Sequence, residues 1–196
     1  FATFDRYRTP AGTYDEMFDG EAVRGPYARI HNRVTALSPE ELRARAEFLS
    51  RSYVDQGVTF DIGGEEQPFP LDLLPRVIDA PSWRNIEQGV AQRVRALEAF
   101  LDDVYGPGQC FADGLLPRRV VATSPHFHRV VSGMKPPSGV RVHVSGIDLI
   151  RDADGQFRVL EDNVRIPSGV SYVMTNRRVL TSAIPEVFAD HRIRPV

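Results

Sequence analysis

The sequence has very little cysteine, very little lysine and no long apolar run. Cys110 is the single cysteine among 196 residues, so an internal disulfide framework and a four-cysteine zinc site are both excluded. No run of about 18 apolar residues occurs, and we therefore expect no membrane-spanning helix. The first residues show no basic stretch followed by an apolar core, so we expect no signal peptide and a reducing, cytoplasmic location.

The charge is nearly balanced, with 24 basic and 26 acidic side chains and a net charge of -2. Such a balance gives no electrostatic reason to expect nucleic acid or a membrane surface as a partner. Lys135 is the only lysine, and all the other basic residues except the histidines are arginines. With 42 % hydrophobic residues, a chain of this length can bury about 70 % of its unfolded surface in an ordinary globular core.

The periodicity predicts an α+β fold with a helical front half. Residues 1–35 show no sustained period and are predicted to form an irregular arm, followed by a helical region over residues 36–110. A capping box, Ser38-Pro-Glu-Glu41, predicts a helix that runs to about Tyr53. A second helix is predicted from about Trp83 to Tyr105, because apolar residues recur there at helical spacing. Its charged residues Arg93, Arg95, Glu98 and Asp102 lie largely on the other side of the helix.

The back half, residues 111–196, is predicted to carry a mainly antiparallel sheet. The candidate strands are Arg118–Ala122, Val140–Ser145, Ile147–Ile150 and Gln156–Asn163. Asp154-Gly155 is a strong hairpin signal between the last two strands. A helix interrupted at Pro185 is predicted over residues 176–189.

The register of this hairpin brings polar side chains together. If Asp154-Gly155 is a two-residue loop, Asp148 lies across from Glu161, and Asn163 points to the same face two residues further on. A longer even loop keeps the shared face, whereas an odd loop or a bulge breaks it. Two opposed carboxylates repel unless a divalent cation neutralises them, and Asp, Glu and Asn oxygens suit Mg²⁺. The alternative is a set of solvated charges on an edge hairpin.

The segment from Gly146 to Arg165 resembles the metal-binding end of ATP-grasp ligases. Those enzymes carry an Asp on one strand and Glu-x-Asn on the next, which together bind Mg²⁺ and ATP phosphates. The resemblance implies that the metal ligands are Asp148, Glu161 and Asn163. It implies a catalytic role for Arg165, at a phosphate or at the charge of an acyl-phosphate transition state.

A narrower resemblance is to the circularly permuted (type 2) ATP-grasp proteins related to glutathionylspermidine synthase. It rests on four segments: Phe69–Arg76, Pro81–Arg84, Val142–Asp148 and Glu161–Tyr172. The loop that follows the Glu-x-Asn motif resembles the small-residue loop of such ligases, which implies that Ser168 and Gly169, with Arg165, bind the cofactor. The implied reaction is the ATP- and Mg²⁺-dependent joining of a small-molecule or peptide carboxylate to an amine.

The sequence departs from that family in its lysines and its glycine-rich loop. The single lysine lies in Gly133-Met-Lys-Pro-Pro-Ser-Gly139, where two prolines remove backbone donors. We therefore expect the ATP-clamping part downstream of Val196, in the rest of the same polypeptide, and expect this N-terminal portion alone to be inactive. Two alternatives stay open: a non-catalytic ATP-grasp-like binding module, and a metal-dependent hydrolase that uses the same carboxylates.

Three other groups of residues have chemistry to offer. His126 and His128, with His143, could bind zinc, although no spaced further ligand is evident and a loop or acceptor-site wall is the simpler interpretation. The pair Arg118-Arg119 could bind a phosphate or carboxylate, or could be solvated. No base is identifiable for Cys110, so a nucleophilic role is not predicted.

Overall fold

The computed structural model describes residues 4–195, without the side chains of residues 60–62 and 66. In chain order the strands and helices are β1 Phe18–Asp19, β2 Ala22–Val23, α1 Ala28–Thr35, α2 Pro39–Asp55, β3 Thr59–Ile62, β4 Glu65–Pro68, α3 Ala80–Val104, α4 Gln109–Ala112, α5 Arg118–Ala122, β5 Gly146–Arg151, β6 Phe157–Asn163, α6 Val170–Ala183 and α7 Pro185–Ala189. The strands form three two-stranded pairs, β1–β2, β3–β4 and β5–β6. The predicted mixture of helices and antiparallel strands is confirmed.

The chain divides into two compact units, which differ from the three predicted regions. The first unit comprises the residues up to Asp79, the segment Arg151–Gln156 and the residues from Ser168 onwards. The second unit comprises Ala80–Ile150 and Phe157–Pro167. The two units are described separately below.

The first unit contains a hydrophobic core built mainly by α1, α2, α6 and α7. Its buried members are Met17, Tyr27, Ile30, Val34, Leu49, Tyr53, Val179, Leu180, Ala183, Ile184 and Val187. Tyr53 is fully buried, and its hydroxyl donates to Oδ1 of Asn176 at 2.5 Å, which links α2 to α6. The ring of Phe69 stacks on that of Tyr172, with centroids 5.0 Å apart.

Residues 1–35, predicted as an irregular arm, contribute to this core from residue 17 onwards. Ile30 and Val34 lie one turn apart on α1 and are 1 % and 3 % exposed. Since α1 has only eight residues, it is too short for a sustained helical period to stand out in the sequence. Tyr27 lies just before this helix, and its hydroxyl accepts a hydrogen bond from the N–H of Val77 at 2.8 Å.

The predicted capping box of α2 is confirmed. Oγ of Ser38 accepts from the N–H of Glu41 at 3.2 Å, and Oε2 of Glu41 accepts from the N–H of Ser38 at 2.7 Å. These reciprocal bonds satisfy two backbone donors and hold the pKa of Glu41 below its usual range. The predicted second helix is α3, and the predicted C-terminal helix is α6 with α7, separated at Ile184–Pro185.

Two predicted strands of the back half are wrong. Residues 118–122 form the short helix α5, closed by a hydrogen bond from the N–H of Thr123 to the carbonyl of Arg119 at 3.0 Å. The segment 140–145 does not pair as a strand, because the N–H groups of Arg141 and Val142 donate to the carboxylate of Glu98 instead. Backbone donors bound to a side chain are not available to a strand ladder.

The second unit buries little apolar surface. Ile86 and Val104 are its buried apolar side chains in the part of the chain that the structure describes. Other apolar side chains of the unit are exposed, among them Val144, Leu160 and Ile166 at 64 %, 65 % and 77 %.

Across residues 4–195, no helix combines the length and apolarity needed to cross a lipid bilayer.

Candidate metal and phosphate site

The β5–β6 hairpin turns through a three-residue loop, and the predicted two-residue loop is wrong. The N–H of Gly155 donates to the carbonyl of Asp152, and the N–H of Asp152 donates to the carbonyl of Gln156, both at 2.9 Å. The Asp152 carboxylate also accepts from the N–H groups of Asp154 and Gln156. These bonds favour a turn in which Gly155, at φ +77°, takes the left-handed position of a bulge.

This turn is anchored within the first unit by Tyr14. The guanidinium groups of Arg24 and Arg151 lie 4.3 and 4.2 Å from the centre of the Tyr14 ring, and Arg151 pairs with Glu16 at 2.7 Å. A Cβ atom at Gly155 would lie 2.6 Å from the same ring, so only glycine fits there. Gly155 of the Asp-Gly pair is therefore required both by the conformation of the turn and by the close approach of the Tyr14 ring.

At the other end of the hairpin the pairing agrees with the predicted register. A Cβ atom at Gly146 would lie 3.6 Å from Cβ of Asn163, so these two positions lie side by side on neighbouring strands. Two residues along each strand lead to Asp148 and Glu161, and strand side chains alternate between faces. This pairing indicates that Asp148 lies across from Glu161 despite the odd loop.

The register of the hairpin changes by one residue between its turn and its other end, and an extra residue in β6 accounts for this change. Strand β5 has six residues and β6 has seven. The four successive residues 158–161 are all exposed, which is the pattern of a β-bulge and not of strict alternation. An odd loop breaks the shared face, and a one-residue bulge restores it.

The polar side chains at this end of the hairpin point into open space. Nδ2 of Asn163 donates to Oε1 of Glu161 at 3.0 Å, so these two side chains share one face of β6. Glu161, Asn163 and Asp148 are all exposed, and Asp148 has no hydrogen bond or ion pair with any residue in the range 4–195. The face offers two carboxylates and an amide oxygen, which are hard donors of the kind that Mg²⁺ accepts while it keeps water or phosphate ligands.

Within the part of the chain that the structure describes, no three His, Cys, Asp or Glu side chains form a metal-binding group by themselves. The predicted set differs because its third donor is the amide of Asn163. His126, His128 and His143 are exposed and belong to no such group. The oxygen donors on β5 and β6 are of the chemical type that a divalent cation such as Mg²⁺ accepts.

Asp162 lies between Glu161 and Asn163 and points to the other face, where α3 holds it. Nε and Nη2 of Arg93 donate to its two carboxylate oxygens, each at 2.6 Å. These hydrogen bonds lower the pKa of Asp162, and they raise the pKa of Arg93. A two-pronged ion pair of this kind sets the rotation of β6 and with it the direction of its two polar neighbours.

Three of the four charged residues that the helical pattern places opposite the apolar face of α3 contact neighbouring segments. Glu98 accepts the N–H of Val142 at 2.6 Å, and Asp102 pairs with Nη2 of Arg141 at 2.8 Å. These contacts hold the segment that enters β5. Only Arg95 is exposed without a hydrogen bond or ion pair within residues 4–195. Sequence reasoning missed Arg93 and Glu98, because an amphipathic pattern does not say whether a polar face meets solvent or a neighbouring segment.

The remaining predicted site residues lie in the loop after β6. In the second unit, Arg165 is exposed and makes no hydrogen bond or ion pair with a residue in the range 4–195, so its guanidinium is open to an anion. In the first unit, Ser168 is exposed, and Gly169 at φ +97° is the N-cap of α6. Glycine is suited to that left-handed conformation, and a helix N-terminus exposes backbone donors.

Cys110 and the arginines of α6 serve structural contacts. The hydrogen bond to Asp103 raises the pKa of the Cys110 thiol, which disfavours a thiolate nucleophile. Arg177 donates to the carbonyl of Arg194 at 3.0 Å, and Arg178 donates to Oε1 of Gln56 at 2.6 Å.

The structure combines helices with antiparallel strands, and one hairpin carries an Asp on its first strand and Glu-x-Asn on its second. This hairpin motif is the one on which the resemblance to ATP-grasp ligases rests. A family model described as a circularly permuted ATP-grasp matches residues 75–196 of the chain. The chain therefore belongs to the circularly permuted ATP-grasp family.

Several curated proteins are similar over nearly the whole chain. An uncharacterized protein of Mycobacterium tuberculosis is 56 % identical over 187 residues, which are 95 % of this chain and 34 % of that protein. An uncharacterized protein of a Synechocystis species is 42 % identical over 192 residues, or 95 % of this chain and 40 % of that protein. A Frankia casuarinae protein named "Putative glutamate--cysteine ligase 2-2" is 43 % identical over 189 residues, or 93 % and 21 %. The chain spans about a third of its mycobacterial relative.

Proposed function

We propose that this chain is the metal-binding portion of an ATP- and Mg²⁺-dependent carboxylate–amine ligase. The observation that carries the proposal is the open face of the hairpin, where Glu161 and Asn163 are hydrogen-bonded at 3.0 Å on the strand that pairs with the strand of Asp148. Membership of the ATP-grasp family supports the use of ATP. The name of the Frankia protein describes a ligase that joins two amino acids, although this chain matches only 21 % of it.

The proposed reaction has two steps. A substrate carboxylate oxygen forms a bond to the γ-phosphorus of ATP as the bond to the β-phosphate oxygen breaks, which gives an acyl phosphate and ADP. An amine nitrogen then bonds to the acyl carbon, phosphate leaves, and the amine loses a proton. The product is an amide, and no covalent protein intermediate forms.

The residues of this chain have separable parts in that scheme. Asp148, Glu161 and Asn163 would hold Mg²⁺, which when bound supplies positive charge next to the phosphate oxygens. Arg165 lies in the loop after β6 and forms no ion pair within residues 4–195, and in the proposed reaction it stabilises the negative charge of the phosphoryl group in transfer.

Further polypeptide completes the site in this proposal. The single lysine, Lys135, lies between glycine and proline residues, and the exposed apolar side chains of the hairpin call for a covering surface. The rest of the same polypeptide is the proposed partner, in a cytoplasmic setting where ATP and Mg²⁺ are available. Nucleic acid and membranes are not part of the proposal.

The substitution Glu161→Gln tests the proposal in the intact protein. It keeps the shape of the side chain and its bond from Asn163, and removes one charge from the metal face. Loss of a supporting contact alone lowers metal affinity by about 10- to 100-fold, so loss of a ligand charge should lower ADP formation by about 100-fold or more. Asp154→Asn removes the same charge from the turn of the same hairpin and should leave turnover unchanged. A Glu161→Gln enzyme within a few-fold of wild type would contradict the metal assignment.

The same assay separates the two alternative functions. A ligase forms ADP only when both the carboxylate and the amine are present. A metal-dependent hydrolase that uses these carboxylates acts with Mg²⁺ and without ATP. A non-catalytic binding module forms no ADP with any pair of substrates, and absence of further lysines and of a glycine-rich loop from the complete reading frame would favour it.

A further inference from the structure

The second unit contains an aromatic cleft that the proposed metal face does not use. Its volume is about 380 Å³, within the range of small-molecule sites. The side chains that give it its chemistry are Tyr105, Phe111, Arg118, Phe127, Arg129 and Ser132. Arg118 begins the short helix α5, and Arg129 begins a 3-10 turn over Arg129–Val131.

One wall of the cleft is a stacked aromatic pair held by backbone hydrogen bonds. The rings of Tyr105 and Phe127 are 5.0 Å apart and inclined by 21°. The Tyr105 hydroxyl oxygen accepts the N–H of His128 at 3.2 Å, and its carbonyl accepts the N–H of Gly133 at 2.6 Å. A wall fixed in this way offers a flat apolar surface at little entropic cost to a ligand.

The cleft also holds two arginines whose charges no carboxylate neutralises. The guanidinium of Arg118 lies 5.6 Å from the centre of the Phe111 ring, within cation–π range. Within residues 4–195, neither Arg118 nor Arg129 has an ion-pair partner. Both arginines are exposed, and a guanidinium next to an aromatic wall favours a planar oxyanion.

The surrounding sequence reinforces this positive potential. Between Gly106 and Ser145 the only acidic residue is Asp113, whereas Arg118, Arg119, Arg129 and Lys135 are basic; Arg141 is basic as well, but it pairs with Asp102. The chain as a whole has a net charge of -2, so the positive charge is local. A cleft lined by one sign of charge concentrates the field and attracts the opposite ion.

We propose that this cleft binds a carboxylate of an amino-acid-like or peptide-like substrate, with Arg118 and Arg129 at the carboxylate and the Tyr105–Phe127 pair against the apolar body. The proposal rests on the proposed function, since it assigns this ligand to one of the ligated substrates. A carboxylate held by two guanidinium groups is a poor nucleophile. The bound group is therefore the one that is recognised, and a different group of the molecule reacts.

The direct test measures binding of N-acetyl-L-phenylalanine, its amide and inorganic phosphate to the intact protein by ligand-observed NMR. We expect the acid to bind in the millimolar range and the amide about tenfold more weakly, because the amide lacks the charge. Arg118→Gln combined with Arg129→Gln should weaken the acid at least about tenfold. Arg119→Gln removes the neighbouring charge, which does not line the cleft, and should leave binding unchanged.

Several outcomes would overturn the proposal. The first is equal affinity of the protein for N-acetyl-L-phenylalanine and for its amide. The second is acid binding that is undiminished in the double variant, or reduced equally in Arg119→Gln. The third is phosphate that binds with higher affinity and displaces the acid. Arg129→Lys keeps the positive charge but lacks the planar guanidinium, so we expect a partial loss of affinity for the acid. If circular dichroism shows that the double variant is unfolded, Arg129→Lys replaces it in the test.

The cleft and the ligase can fail separately. Glu161→Gln should abolish ADP formation and leave N-acetyl-L-phenylalanine binding intact. Acid binding at the cleft without any substrate-dependent ADP formation supports the cleft and contradicts the ligase. ADP formation that is unchanged by Arg118→Gln and Arg129→Gln supports the ligase and contradicts the cleft as its substrate site.

Discussion

Removing a single oxygen atom from Tyr53 is the sharpest test of how the first unit is held together. Tyr53 is 0 % exposed, and its hydroxyl donates to Asn176 at 2.5 Å, from α2 to α6. In Tyr53→Phe this bond is lost, and the amide oxygen of Asn176 needs another donor. Such a bond contributes about 1 kcal/mol net, and an unsatisfied partner adds to the loss.

The expected loss in the free energy of unfolding is about 1–2 kcal/mol, because Asn176 is half-buried and water can partly replace the hydroxyl. For a chain of this length, that corresponds to a fall of about 2–8 °C in Tm. Urea titration followed by far-UV circular dichroism measures the first quantity, and a thermal scan measures the second.

Tyr172→Phe is the matched control. The ring of Tyr172 stacks on Phe69 at 5.0 Å, and its hydroxyl has no hydrogen bond with a residue in the range 4–195. We expect this variant to lie within about 0.5 kcal/mol of wild type. If Tyr53→Phe loses no more than Tyr172→Phe, the bond to Asn176 does not stabilise the fold and the reasoning is refuted. A double-mutant cycle with Asn176→Ala should show a coupling of about 1 kcal/mol.

Three further predictions concern other contacts. Arg93→Met should lower the free energy of unfolding more than Arg95→Met. Because the ion pair with Arg93 lowers the pKa of Asp162, this difference between the variants should be full at pH 7 and shrink as the pH falls below about 4. A difference that does not depend on pH would contradict the prediction. Ser38→Ala should cost about 1 kcal/mol in urea titration through loss of the cap, and an unchanged midpoint would show that the cap contributes nothing. Iodoacetamide should alkylate Cys110 with a pH midpoint above that of an ordinary thiol, and Asp103→Asn should lower that midpoint; a midpoint that does not move would rule out the raised pKa.

The features that the sequence predicted well are all local. The capping box at Ser38, the helix that became α3 and the turn at Gly155 depend on residues within a few positions of one another. The spacing from Asp148 to Glu161 also lies within one hairpin. It carried the family resemblance and, with the register, the prediction of a shared polar face.

The hairpin shows where local reasoning needed the structure. The two-residue loop is wrong because the Asp152 carboxylate caps two N–H groups and stabilises a three-residue turn. The contact between positions 146 and 163 still indicates that Asp148 lies across from Glu161, and β6 contains one residue more than β5. A bulge of this kind leaves no clear mark in a sequence of alternating apolar and polar residues.

The sequence by itself determined the long helices α2 and α3, the hairpin with its Asp and Glu-x-Asn, and the scarcity of lysine. Only the tertiary structure decided which charges have partners: Arg93 holds Asp162, Glu98 holds the segment before β5, and Arg165, Arg118 and Arg129 form no ion pair within residues 4–195. The physical reason is that periodicity and turn chemistry act over a few residues, whereas the partner of a side chain depends on which distant segment folds beside it.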